Sequence, residues 1–125
     1  HQGHEVHVAY QTSGNIAVTD EFVTRFLDFA IGFEDIAGIN NDRSVGILAE
    51  VQQYLAQKKA NSMDTSMIRS IKGLIRRCEA RATCRHVGIA EKNVHFQNLP
   101  FYETGTIEKA PIGEADIMQT MQLLQ

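Results

Sequence analysis

The sequence is poor in the residues that staple, kink or anchor a chain: only two of its 125 residues are cysteine and two are proline. Cys78 and Cys84 lie six positions apart in what reads as one helix, so at 3.6 residues per turn their side chains point about 120° apart, which disfavours a disulfide between them. Unpaired cysteines fit a reducing compartment. No basic start followed by a short apolar core marks a secretory signal, so the cytoplasm is the expected location. No window reaches the roughly 18 uninterrupted apolar residues of a membrane span, and no membrane partner is expected. An excess of positive charge is also absent. Twelve Lys and Arg face 15 Asp and Glu, for a net charge of −3 and a pI near 5.9, so the overall field does not draw the chain to nucleic acid. Cys-x-x-Cys, His-Glu-x-x-His, the Walker loop, Gly-x-Gly-x-x-Gly and Gly-x-Ser-x-Gly are all missing, which leaves the chemistry to looser patterns.

What is present is globular usage, 43% apolar and 22% charged, in a length that suits one domain. From Glu5 to Tyr10 polar and apolar residues alternate, with Val6, Val8 and Tyr10 on one face, as in a strand packed on one side. Gln11 to Asn15 is a loop of small hydrogen-bonding residues around Gly14, the first place to look for a ligand. From Thr19, an expected N-cap, the residues Phe22, Phe26, Phe29, Phe33 and Ile36 recur at helical spacing, with Val23 and Leu27 widening the stripe. Asn40, Asn41 and Asp42 break the pattern, and Ser44 is expected to cap a second helix carrying Val45, Leu48, Val51 and Leu55 inward, ending near Lys58 and Lys59. Asp64 or Thr65 then caps a longer third helix with Ile68, Ile71, Ile75, Cys78 and Ala82 inward. Its expected outer face carries Arg69, Lys72, Arg76, Arg77, Arg81 and Arg85. Gly88 stops it, Asn93 to Leu99 reads as a second strand, and Glu114 to Gln125 resumes a helical period.

The order strand, three helices, strand, helix requires a long crossover, which implies parallel pairing. Parallel sheets normally have both faces covered, and two strands alone rarely make a stable sheet, so neighbouring backbone is expected beside them. The chain starts at His1 without an initiator Met and enters the first strand within five residues, which adds to that expectation. The fold class expected is α/β: a partial Rossmann-like three-layer domain with mainly parallel strands, residues 1–125 forming one incomplete domain with a helical insertion at about 20–60.

Histidine spacing invites a metal reading. His1, His4 and His7 stand three apart and would share a face of a helix, but a strand splits them, so a spectator role is expected. His86 at a helix end and His95 on the polar side of a strand read as structural. Eight of the twelve cations fall between Lys58 and Arg85. With no aromatics interleaved, they read as a solvated face or partner contact, within which an Arg-x-x-Glu pair is expected to be buried.

Three segments carry a resemblance. Gly3 to Gly14 resembles the second strand and following loop of the LmbE/PIG-L sugar N-deacetylases; Arg76 to Ile89 resembles their helix with Arg-x-x-Glu-Ala and a closing Gly-hydrophobic pair; Val94 to Pro100 resembles the strand that follows. Tyr10 to Val18 and Leu99 to Gly105 are more similar to the branch attached to a glucosamine-6-phosphate deaminase (isomerase) domain. The resemblance implies amino-sugar metabolism, with an amino sugar or amino-sugar phosphate as partner of the parent protein. It also implies that Arg76, Thr12 and Ser13 bind substrate, Arg76 because a guanidinium holds phosphate or hydroxyls in a fork. The family's zinc is held by an Ala-His-Pro-Asp-Asp motif and a distal histidine that this chain does not contain. Zinc is therefore implied for the complete domain and no cofactor for this stretch, in which no catalytic or metal-ligating residue is expected and which is not expected to deacetylate alone. The reading kept beside this one is a noncatalytic interaction or oligomerisation domain, for which self-association through an exposed sheet edge is the expected mode.

Overall fold

The computed structural model of the chain describes residues 3–125. His1, the first member of the histidine triplet, lies outside the described residues. Strand β1 (Val8–Tyr10) is followed by helices α1 (Asp20–Ala37), α2 (Asp42–Gln57) and α3 (Ser66–His86), then strand β2 (Val94–Phe96) and helix α4 (Glu114–Leu124), with short 3-10 turns at Asn15–Ala17 and Glu91–Asn93. The element order and types match the sequence reading. The strands pair in parallel with Val8 opposite Val94 and Tyr10 opposite Phe96. Among the described residues the result is a small α/β arrangement of a two-stranded sheet and four α-helices.

Both strands are shorter than their alternating patterns suggest. At the amino end, Asn93 turns its amide to the Val6 carbonyl at 3.2 Å, a side-chain bond that stands in for a ladder bond. Past the carboxyl ends the pairing persists: Gln97 N–H donates to Tyr10 O at 2.9 Å and Leu99 N–H to Gln11 O at 2.8 Å. The two loops that leave the strands are thereby tied side by side.

The largest apolar core lies among the helices. Val23, Leu27, Val51 and Ile68 are buried together, with Ile47, Leu48, Tyr54, Leu55 and Ile71 packed around them. This corrects the expected inner face of α1. Val23 and Leu27, read as the margin of the stripe, are its buried line, while Phe29, Phe33 and Ile36 are 70%, 54% and 88% exposed. The α1 sequence carries two apolar lines, and only the one four residues per step from Val23 meets α2 and α3. The cap of α2 also moves, from Ser44 to Asn41; Ser44 instead sits in the first turn and donates its hydroxyl to Glu34 at 2.7 Å. Thr65 caps α3 through its side chain, accepting from Ile68 N–H at 3.2 Å.

On α3 the buried line runs Ile68, Lys72, Ile75 and Cys84, while Cys78 and Ala82, expected inside, are exposed. Lys72, placed on the outer face by its charge, is buried because it lies one turn beyond Ile68. Its ammonium donates to Asp20 at 2.8 Å and to Asp64 at 2.7 Å. Lys58 completes a ring of four charges, 2.9 Å from Asp20 and 2.8 Å from Asp64. Burial pushes both carboxyls up, but the hydrogen bonds from the two ammonium groups outweigh it, leaving Asp20 and Asp64 below the ordinary carboxylate range. The ring joins the start of α1, the end of α2 and the approach to α3, fixing the insertion against the helix that carries the candidate site.

Candidate functional site

In open α/β sheets ligands gather beyond the carboxyl ends of parallel strands. Here that end is formed by Gln11–Asn15 after β1, by residues 97–103 after β2, and by the middle of α3. Small residues let them approach. A side chain at Gly73 would meet Ser13 at 3.7 Å, and one at Gly14, whose φ is +66°, would meet Arg76 Nε at 3.1 Å. Asn15 is buried, donates its backbone N–H to the Ser13 hydroxyl oxygen at 3.4 Å, and donates its side-chain amide to Glu103 at 3.3 Å. Asn98 takes a left-handed φ of 48°, which turns the second loop back along the first.

Two clefts open at this end. One, of about 440 Å³, is lined by Ser13, Asn15, Ser70, Arg77, Asn98 and Glu103 among others. The other, of about 370 Å³, is bordered by Thr12, Ser13, Gly14, Arg76, Arg77 and Phe96. Both lie in the size range of small-molecule sites. Thr12, Ser13 and Arg76, which the family resemblance singled out, thus come together around one cleft although 64 positions separate Thr12 from Arg76 (76 − 12). The Arg76–Glu79 ion pair is present, but with side chains 46% and 53% exposed it is not buried as expected; it lies on the rim.

Arg77 and Glu103 were not singled out in the sequence. Arg77 lines both clefts and stacks its guanidinium 5.5 Å from the Phe96 ring centre, with Arg81 at 5.4 Å from the same ring. The sequence shows only that Arg77 stands four residues after Gly73 on one face of α3; that the β1 loop approaches the helix at Gly73 follows from the fold. Beneath them Tyr10 and Phe96 pack with ring centres 5.4 Å apart. The Tyr10 hydroxyl contacts Cys84 Sγ at 3.6 Å, and this contact, with burial, pushes the phenol up.

The histidines do not converge on a metal geometry. His4 is exposed. His7 Nδ1 and His95 Nε2 approach to 3.0 Å, and their nearly coplanar rings have centres 5.3 Å apart. That separation is the nitrogen contact plus the two ring radii, so the rings meet head-on and share one hydrogen. The two nitrogens are directed at each other, one as donor and one as acceptor, and not at a common third point. Among the described residues no group of three or more His, Cys, Asp or Glu could hold a metal ion. The three-ligand zinc site implied by the family resemblance does not fit the residues present here. No described helix is long and apolar enough to cross a membrane, and both cysteines are free.

The chain is 51% identical over 127 aligned positions to a Bacteroides thetaiotaomicron protein described as glucosamine-6-phosphate deaminase-like; the match covers 99% of this chain and 19% of that protein. The chain therefore spans about a fifth of the length of the curated relative it matches. No protein-family model matches, and no solved structure matches.

Proposed function

We propose that this chain is the sugar-binding segment of a larger amino-sugar-metabolising protein. On this reading residues 1–125 are an interior, incomplete part of an LmbE/PIG-L-like, Rossmann-like domain associated with glucosamine-6-phosphate deaminase. Thr12, Ser13 and Arg76 hold an amino sugar or its phosphate, and the parent is a hydrolase acting on it in the cytoplasm. The observation that carries the reading is the cleft at the carboxyl ends of β1 and β2, where the three residues meet. The 51% identity to a protein described as glucosamine-6-phosphate deaminase-like supports the substrate class. The residues here orient the sugar: Arg76 offers a planar fork of donors, and the Thr12 and Ser13 hydroxyls donate and accept at ring hydroxyls. Zinc chemistry, where the parent has it, rests on ligands outside this segment, so deacetylation by this chain alone is not expected.

The test is steady-state kinetics of the intact protein on glucosamine 6-phosphate (ammonia release) and N-acetylglucosamine 6-phosphate (acetate release). Arg76→Ala should lower kcat/KM for at least one of these by about 10- to 100-fold, the loss of one to two charge-assisted hydrogen bonds. Wild-type turnover of neither sugar, or an Arg76→Ala variant as active as wild type on both, contradicts the reading.

A second reading has its own observation. Among the described residues each strand has a single neighbour, which leaves both edges of the two-stranded sheet without a further strand. We infer from this a homo-oligomer joined by strand addition, in which the segment serves as a noncatalytic interaction domain. Light scattering on the intact protein showing a monomer at micromolar concentration ends that reading.

A further inference from the structure

The resemblance points to Arg76, but the pairing of charges along α3 points to its neighbour. Arg76 is matched by Glu79, Arg81 by Glu91 at 3.4 Å, and Arg69 donates to the Asp64 carbonyl at 2.6 Å. Arg77 is half-buried, and among the described residues its guanidinium has no carboxylate and no hydrogen-bond acceptor, only the Phe96 ring. A partly desolvated guanidinium with unused donors, and a second cation on the same ring, is a place where an anion is favoured. Ser13 borders both clefts with it, adding a hydroxyl donor beside the fork. The larger cleft is polarised: Glu103, fixed by the Asn15 amide at 3.3 Å, gives the same cavity a carboxylate.

We propose that Arg77 and Ser13, which border both clefts, take the phosphate of a phosphorylated amino sugar whose hydroxyls meet Thr12 and Arg76 in the smaller cleft, and that Glu103 in the larger cleft takes its ammonium, so that the two clefts together select a zwitterion. The assignment rests on the amino-sugar reading above and names the groups that read the two charged ends. A neutral sugar gains from neither end, a sugar phosphate from one, and an amino-sugar phosphate from both. Arginine suits this place because its planar fork can stack on Phe96 and still present two parallel donors.

Calorimetric titration of the intact protein with glucosamine 6-phosphate, glucose 6-phosphate and glucosamine separates the parts. Arg77→Ala should weaken both phosphorylated ligands by about tenfold or more and leave glucosamine within about twofold, since one charge-assisted pair is worth at least a factor of ten. Arg77→Lys, which keeps charge without the fork, should fall between. Glu103→Gln should weaken the two amines and spare glucose 6-phosphate. An Arg77→Ala variant that binds glucosamine 6-phosphate as wild type does overturns the proposal and leaves the amino-sugar reading standing. Equal wild-type affinity for both phosphorylated sugars, lost in Arg77→Ala, overturns the Glu103 role and the amino-sugar reading while sustaining the anion site; binding of none of the three overturns both. If Arg77→Ala lowers the melting temperature sharply, Arg77→Lys and Ser13→Ala carry the same comparison.

Discussion

Gly14 is the residue on which the site geometry turns most sharply. Its φ of +66° is left-handed, and a Cβ there would stand 3.1 Å from the Arg76 guanidinium. Gly14→Ala should cost about 1–2 kcal/mol from the backbone alone, measured as a lower urea midpoint at unchanged m-value. It should also move Arg76 off the rim and weaken sugar binding beyond what Arg76→Lys does. A glycine in a polar loop is visible in the sequence, and its neighbour across the cleft is not. The same limit hid Arg77: its type and its place on α3 were legible, but its lack of a partner follows from which carboxylates the fold brings to the other arginines.

At the scale of elements, the ring of Asp20, Lys58, Asp64 and Lys72 predicts how stability depends on pH. The two carboxyls are held below their ordinary value in the folded state. Their contribution is therefore complete above about pH 4, the unfolded carboxyl value, and lost as pH falls through the depressed folded values. Lys58 is raised, its hydrogen bonds to Asp64 and Asp20 outweighing the burial that pushes it down. Its contribution is complete below about pH 10.4 and lost as pH rises through the higher folded value. Urea midpoints should hold level between these limits as far as this ring is concerned and drop on the acid side, with a shallower drop in Asp64→Asn. Lys72→Met should cost about 2–3 kcal/mol, less than the roughly 3–5 of an isolated buried pair because Lys58 still holds both carboxylates.

The helices also show where periodicity serves and where it misleads. Ile68 is fully buried, so Ile68→Ala should cost about 2–5 kcal/mol. Phe29→Ser, despite removing an aromatic from the stronger apolar line of α1, should stay within about 0.5 kcal/mol in the monomer. Helix positions, lengths and stops were readable because caps and helical spacing are local. Which of two apolar lines on α1 turns inward was not, because it depends on where α2 and α3 lie. For α3 a strict count of four from Ile68 would have put Lys72 inside; its charge outweighed its position in the reading.

For the whole molecule, strand, crossover and strand in that order sufficed to anticipate the parallel pair, since a long crossover leaves little alternative. The loops that carry the candidate site follow from that topology: both leave the same end of the sheet, and Gln97 and Leu99 bind them together through the Tyr10 and Gln11 carbonyls. The position of the principal core was less accessible, because the sheet is too small to organise one and the apolar mass collects between the helical insertion and α3. On the proposed function, the strand ends and the middle of α3, distant in sequence and adjacent in space, are the ligand-binding surface. Hydrogen exchange on the intact protein, with and without saturating glucosamine 6-phosphate, tests this most directly. Within this chain, slowed exchange should be confined to residues 11–15, 73–80 and 97–103, with α1 unchanged; protection absent from those three segments, or centred on the exposed phenylalanines of α1, would contradict it.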